Sequence, residues 1–363
     1  MAITVLIADD SAFMRKILEK HLKPNKDFKI IGTAKTGVEC ITKVITLNPK
    51  VIILDIMLPD VSGLNIVYQV MRAKPTPILL FSSLTENEVK NDSRVFDYGL
   101  VDFVNKPSKD MEMDTSEYLN KWMIPKLSIL SKLRVQKFMK IIQITNNSYV
   151  SEKEDFSKSF DNTVRESSDT RLPVVSKMLV IGASTGGPQM IASLVKEFPR
   201  NFPPVLIVQH IPVGFIENFV RRLDNASTIS VHVAEEGMPI KSGNVYLAPG
   251  GRHMELRKGG SGIKIKLTDS PMVNFVKPSV DVTLKSAVGL MGSKVVAVIL
   301  TGMGKDGTEG CNLVAKAGGK VIALNEEDSV VYGMNKSVIE RGFADHIYSL
   351  NNMYQGIRQA LGL

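Results

Sequence analysis

The sequence predicts an α/β protein in two parts, each a doubly wound, mainly parallel sheet. Three observations carry that prediction. Short apolar runs alternate with stretches of helical period from residue 3 onward, and again from residue 178 onward, which is the pattern of consecutive βαβ units. A stretch dominated by Ser, Asn, Asp, Glu and Lys at 145–173 separates the two series. Acids, hydroxyls, histidine and glycines stand directly after the apolar runs, where open α/β sheets place their chemistry.

In the first part the runs are ITVLIA (3–8), FKIIGTA (28–34), VIIL (51–54), PILLF (77–81) and LVDFV (100–104), with helical patterns between them. They make a five-stranded domain over residues 1–125. Asp9 and Asp10 follow the first strand, Asp55 the third, Ser82 the fourth and Lys106 the fifth. Three carboxylates at one sheet edge repel one another, and a hard divalent cation such as Mg²⁺ relieves that repulsion with oxygen ligands. Lys106 adds a point charge for a phosphoryl oxygen and Ser82 a hydroxyl donor, so Asp55 becomes a carboxylate nucleophile toward a phosphoryl donor. Helix capping accounts for Asp9 or Asp10 singly, but not for the five together.

Residues 115–141 have helical period, interrupted at Pro125, which has no N–H to donate. Residues 126–175 are expected to form a helical extension and then a flexible tether, because the polar stretch has too little apolar surface to offset ordering. Tyr149, Phe156 and Phe160 offer docking points within it, although a passive tether is the simpler reading.

The second part, 176–363, is organised around MLVIGASTGGP at 178–188. Met178–Ile181 run into a glycine turn, after which Met190, Ile191, Leu194, Val195 and Phe198 fall on one helical face. Ser184 and Thr185 are the hydroxyls of that turn. A Ser at a strand's carboxyl end, beside free helix N–H groups, is placed for nucleophilic attack with an oxyanion site next to it. The next strand, PPVLIVQ (203–209), ends at His210. Adjacent parallel strands lie about 4.8 Å apart, so His210 can meet Ser184 as general base. VVAVIL (295–300) leads into Thr301–Gly307, whose glycines let the loop fold close. Asp306 would orient the imidazole there, and the Met303 amide would contribute to an oxyanion hole. Residues 229–267 read as short strands with Gly turns, taken as antiparallel hairpins.

Other readings are weaker. GASTGG lacks the spacing of the known phosphate-cradling loops. Gly182, Ser184 and Gly186 satisfy Gly-x-Ser-x-Gly, but the order Ser, His, Asp differs from the Ser, acid, His of α/β-hydrolases. The same geometry is therefore expected on another fold. His253 is the serious rival to His210, yet it starts a strand where His210 ends one. His21, His232 and His346 suit surface or core roles. No His/Cys group has zinc spacing, and no cofactor is expected at the hydrolytic site.

Composition bounds the rest. The 363 residues are 44% apolar and 23% charged, with a net charge of +8, an ordinary globular balance with room for two cores. Residues 171–363 hold 21 basic and 15 acidic residues. With no basic run interleaved with aromatics, that favours an acidic partner surface over nucleic acid. Cys40 and Cys311 are isolated, which excludes a disulfide framework and suits a reducing cytoplasm. There is no basic leader, and no apolar run nears the roughly 18 residues of a membrane span. A cytoplasmic protein without membrane insertion is expected.

ADDS (8–11), LDIMLPDVSG (54–63), FSS (81–83) and DFVNKP (102–107) resemble a response-regulator receiver domain. The resemblance implies phosphorylation of Asp55 by a chemotaxis histidine kinase. It also implies Asp10, Asp55 and the Met57 carbonyl around Mg²⁺ with Asp9 just outside, Phe103 as an aromatic switch, and a cis Lys106–Pro107 bond. GASTGGP (182–188), QH (209–210), LAPGGRHM (247–254) and LTGMGKDG (300–307), in that order after a receiver, resemble the catalytic domain of the CheB chemotaxis methylesterases. That likeness implies hydrolysis of glutamyl methyl esters on methylated chemoreceptors, and often deamidation of receptor glutamines. It implies Ser184 as nucleophile, His210 as base and Asp306 as orienting acid, with Thr185 and Met303 in support. The polar tether is longer than the family pattern.

Overall fold

The computed structural model describes residues 2–82, 102–107, 113–133, 135, 176–211, 213–260 and 262–363. The chain divides into two compact units, residues 1–142 and 143–363.

The first unit is built on β1 (Ile3–Ala8), β2 (Phe28–Ala34), β3 (Val51–Leu54), β4 (Ile78–Ser82) and β5 (Asp102–Asn105). They form one parallel sheet in the order β2-β1-β3-β4-β5. Every residue of β3 and β4 is buried, as continuous apolar runs demand when both sheet faces are covered. The helices Ala12–Leu22, Gly37–Leu47 and Gly63–Ala73 start at Ser11, Thr36 and Ser62, each of whose side chains accepts a first-turn N–H. The expected helix between β4 and β5 lies outside the described residues. Register sets the site: Ala8 pairs with Leu54 and Ser82 with Asn105, so Asp9, Asp55 and Lys106 leave the sheet side by side.

The helical stretch after β5 is broken upstream of its proline. An α turn, Thr115–Tyr118, passes into a π turn, Leu119–Met123, and then into the helix Ile124–Leu130, with Pro125 in its first turn. The wider turn leaves the ring where no N–H is required. Residues 136–175, including the expected tether with Tyr149, Phe156 and Phe160, lie outside the described residues. The expected cis Lys106–Pro107 bond is not found: among the described residues the cis peptide is Lys277–Pro278. Either isomer of an X–Pro bond is within about 1 kcal/mol locally, so tertiary context decides which X–Pro bond is cis.

The second unit holds a seven-stranded sheet in the order β14-β13-β12-β6-β7-β9-β8. Its strands are β6 (Met178–Ala183), β7 (Val205–Gln209), β8 (Ser230–Val233), β9 (Asn244–Leu247), β12 (Val295–Ile299), β13 (Lys320–Leu324) and β14 (His346–Tyr348). All pairings in it are parallel. One expectation is corrected here. Among the described residues of that segment, only β10 (His253–Gly259) and β11 (Gly262–Thr268) form an antiparallel hairpin, whereas β8 and β9 pair in parallel within the main sheet. The ten residues between them return along β11, with Gly237 N–H bonded to Ile265 O, Ile265 N–H to Met238 O and Ile240 N–H to Ile263 O. That detour re-enters β9 from the end where β8 began. The core runs from Met178 and Val180 of β6 through Leu206 and Val208 of β7 to Val280 and Leu284 of the helix Val280–Met291.

Candidate active sites

In the first unit, carboxylate oxygens of Asp9, Asp10 and Asp55 lie within 4.8 Å of one another. Lys106 Nζ donates to Asp55 Oδ2 and stands 2.7 Å from Asp9 Oδ2. The Asp9 contact is a buried ion pair. Burial pushes the Asp9 carboxyl above its ordinary value; Lys106 opposes this and Asp55 adds to it. Burial works against the charge of Lys106, but its bonds to Asp55 and Asp9 outweigh that and hold the ammonium above its usual range. Among the described residues Ser82 Oγ is buried with no hydrogen-bond partner, so its hydroxyl is not taken up by them.

Three converging carboxylates and a spare hydroxyl fit a hard cation and an anionic group beside it. The structure thus brings Asp9, Asp10, Asp55 and Lys106 together, with Ser82 buried at the end of β4 next to them. Met57 contributes its amide, which donates to Asp55 Oδ1 at 3.1 Å. Phe103 sits on β5 with Lys126 Nζ 5.1 Å from its ring centroid. Lys126 also donates to Asp102 Oδ1 at 2.7 Å and to Phe103 O at 2.9 Å. Nothing local in the sequence marked Lys126 as a partner of β5.

In the second unit, strand register builds the site. Ala183 pairs with Gln209 and Ile299 with Gly182, so Ser184, His210 and the Thr301 loop leave three neighbouring strands together. The Ser184 backbone is held on both sides. Its N–H donates to Thr301 O at 2.9 Å, and its carbonyl accepts Gln209 Nε2 at 2.9 Å. Gln209 Nε2 also reaches His210 O at 3.2 Å, so one buried amide ties both backbones. Gly302 fits because a Cβ there would stand 2.7 Å from Ser184 Cβ and 2.5 Å from Met334 Sδ. Gly186 has φ +79°, a left-handed turn into the helix Gly187–Glu197 that a side chain would resist.

His210 Nε2 is 2.9 Å from Asp306 Oδ2. Asp306 is 2% exposed, yet it accepts from Ser279 Oγ at 2.6 Å, Val280 N at 2.7 Å and Asp281 N at 3.4 Å. Asn274 Nδ2 approaches it at 3.3 Å. The two amides belong to the first turn of Val280–Met291, whose dipole favours an anion there. Burial alone would raise the Asp306 carboxyl, but His210, Ser279 and Val280 together hold it below its ordinary value. It is therefore ionised and can only accept, so His210 Nε2 is the donor in this bond. Among the described residues the Ser184 hydroxyl makes no hydrogen bond to His210; apo sites often leave this contact to form with substrate. The Met303 and Gly186 amides likewise have no protein acceptor among the described residues, as an oxyanion site requires. Thr185 is 5% exposed within the turn, and Thr301 Oγ1 donates to its carbonyl at 3.0 Å.

Sequence reading missed the cradle of Asp306. Asp281 Oδ1 accepts Gly310 N at 2.7 Å, and its Oδ2 accepts Asn274 Nδ2 at 2.7 Å. Burial, with Asp306 adding to it, raises the Asp281 carboxyl to about 6. His253 is fully buried. Its Nδ1 accepts Ser279 N at 3.1 Å and its Nε2 faces Pro271 O at 3.1 Å, so it pins this segment and is no base. The available signal was Ser279-x-Asp281 ahead of a helical pattern, a helix-start signature.

Fold and site define a class: a phosphoacceptor-type α/β unit followed on one chain by an α/β unit of hydrolytic layout. Comparison with known proteins agrees. Residues 5–116 match the response regulator receiver domain and residues 179–357 the CheB methylesterase domain. A protein-glutamate methylesterase/protein-glutamine glutaminase of Thermotoga maritima is 38% identical over 346 residues, 95% of this chain and 94% of that protein. One from Methanococcus maripaludis is 38% identical over 347 residues, with the same coverage. The crystal structure of the Thermotoga maritima CheB methylesterase catalytic domain superposes with a TM-score of 0.50 at 43% identity, covering 51% of this chain and 99% of that one. The chain belongs to the CheB family of protein-glutamate methylesterases/protein-glutamine glutaminases. Among the described residues no helix is long and apolar enough to cross a membrane.

Proposed function

We propose that the chain removes methyl esters from glutamyl residues of chemoreceptors by a Ser184–His210–Asp306 mechanism, under control of Asp55 phosphorylation. The observation that carries this is the strand register that sets Ser184 beside His210, together with the 2.9 Å His210–Asp306 bond. Ser184 Oγ attacks the ester carbonyl while His210 Nδ1 takes its proton, and Asp306 stabilises the imidazolium. The Met303 and Gly186 amides receive the oxyanion, with Thr185 shaping the turn. The imidazolium then protonates the departing methoxide, which leaves as methanol, and water attacking the acyl-enzyme frees the glutamyl carboxylate and Ser184. With a glutamine side chain the leaving group is ammonia, and the remaining steps are unchanged.

In the receiver unit, Asp10, Asp55 and the Met57 carbonyl would hold Mg²⁺, with Asp9 adjacent. Bound there, the ion neutralises charge on a transferring phosphoryl group. Asp55 is the acceptor, Lys106 and Ser82 meet phosphoryl oxygens, and Phe103 is the switch residue. The phosphodonor is a chemotaxis histidine kinase, and the setting is the cytoplasm.

The test is methanol release from membranes bearing methylated receptors, comparing wild type with Ser184→Ala, each with and without a small phosphodonor and Mg²⁺. Release that requires Ser184 and rises with the phosphodonor is expected. Release that persists in Ser184→Ala overturns the mechanism, and release indifferent to the phosphodonor overturns the control.

A further inference from the structure

A serine is activated only when its base stands within hydrogen-bond reach, and a misplacement near 1 Å costs roughly 100-fold in rate. Backbone pairing alone does not set that separation here. The β6–β7 ladder reaches as far as His210 N–H and Ala183 O, at 3.1 Å. Ser184, one residue on, turns away from β7. Its N–H donates to Thr301 O at 2.9 Å, and its carbonyl accepts Gly187 N–H at 2.8 Å. Among the described residues no backbone bond joins Ser184 to His210. The link between them is the Gln209 side chain, whose Nε2 donates to Ser184 O at 2.9 Å and to His210 O at 3.2 Å.

Packing does not explain that bridge. Gln209 is 2% exposed. Two carbonyl acceptors claim both amide hydrogens, so the amide oxygen points the other way, and among the described residues Oε1 is buried without a hydrogen-bond partner. A buried acceptor left unpaired is destabilising, and an apolar side chain of the same length would avoid it. The neighbouring backbone also makes room for the amide. A Cβ at Gly187 would collide with Oε1 and stand 2.7 Å from Ala183 Cβ, so the first residue of the helix Gly187–Glu197 leaves no space for a side chain. Stability alone would select neither feature, whereas a fixed distance between nucleophile and base accounts for both.

We propose that Gln209 is a positioning residue, its amide forming an extra rung beyond the end of the β6–β7 ladder that sets the distance from Ser184 to His210. This rests on the esterase reading above. The test compares full-length wild type, Gln209→Met and Gln209→Asn on methylated receptor membranes and on a small methyl ester. The kcat is expressed per Ser184 titrated to completion with a fluorophosphonate, so that unfolded enzyme does not count. Gln209→Met keeps the length and bulk without the donors, and Gln209→Asn keeps the donors but ends one bond short of the carbonyls. Both variants should lose kcat about 10- to 100-fold on both substrates, with KM little changed. The acidic limb of the kcat–pH profile should stay in place, because Asp306 still bonds His210. Gln209→Met close to wild type in kcat would reduce the residue to packing, and Gln209→Asn close to wild type would make the bridge dispensable; either result overturns the proposal. So does a loss confined to receptor membranes, or a loss accompanied by a displaced acidic limb. Wild type turning over neither substrate would instead sink the esterase reading itself.

Discussion

Replacing Gly302 by alanine tests whether the backbone position of Ser184 sets the rate. The added Cβ would meet Met334 Sδ at 2.5 Å, Ser184 Cβ at 2.7 Å and Ser184 N at 3.1 Å. The thioether can swing aside, since methionine is flexible. Ser184 cannot do so freely, because Thr301 O and Gln209 Nε2 grip it on either side. Restoring an ordinary carbon–carbon contact of about 3.5–4 Å requires Ser184 and residue 302 to part by roughly 1 Å between them. Overpacking of this kind costs about 1–3 kcal/mol of stability, and a misplacement near 1 Å costs roughly 100-fold in rate. Thermal unfolding should show a Tm lower by a few degrees. Methanol release from receptor membranes should show kcat down 30- to 100-fold with KM little changed. A kcat within twofold of wild type would refute the claim that the Thr301 and Gln209 contacts fix the nucleophile.

The other predictions concern charge. Asp281 has a folded carboxyl raised to about 6, so its stabilising contribution is complete below its unfolded value and is lost as pH rises through about 6. Asp281→Asn should therefore raise stability by about 1–2 kcal/mol at pH 8, and the gain should vanish near pH 4 in denaturant titrations; a gain independent of pH would contradict it. Asp306 has the opposite sign: its folded carboxyl is depressed, so its contribution holds above its unfolded value and fades as pH falls through the folded one. Ser279→Ala, which removes a donor to that carboxylate, should cost about 1.5–3 kcal/mol at pH 7 and progressively less below pH 4, measured by the same titrations. Mg²⁺ at 100 times its Kd should stabilise the receiver unit by about 2.7 kcal/mol, read as a Tm rise that shrinks in Asp10→Asn; no Tm response in wild type would remove the carboxylate cluster as a cation site.

The strand ends were legible in the sequence because each apolar run stops at a chemically distinctive residue, and parallel register carries those ends to one edge. Asp9, Asp55 and Lys106, and likewise Ser184 and His210, follow from that rule alone. What hid from sequence were side chains whose partners lie far along the chain. Gln209 reads as the last residue of an apolar strand until its amide is seen between Ser184 and His210. Asn274, Ser279 and Asp281 lie 25 to 32 residues from Asp306, and no local period announces that they converge on it. The parallel pairing of β8 with β9 escaped for another reason. A ten-residue connection resembles a hairpin loop, and only its return along β11 makes it a crossover.

The two halves of the proposed triad are finished to different degrees, and burial explains why. The His210–Asp306 pair must be complete in the resting protein, because a carboxylate only 2% exposed would be costly without its donors. Ser184 carries no charge at rest, so its hydroxyl incurs no comparable penalty for waiting. Its backbone is already set by Thr301, Gln209 and the glycine at 302. A side-chain rotation between staggered wells, the kind of step that sets a serine hydroxyl, is small beside a catalytic barrier. The fold thus fixes the elements that are expensive to rearrange and leaves to the substrate the one that is cheap, which is why the rate should answer far more to Gly302 and Gln209 than to the resting orientation of the hydroxyl.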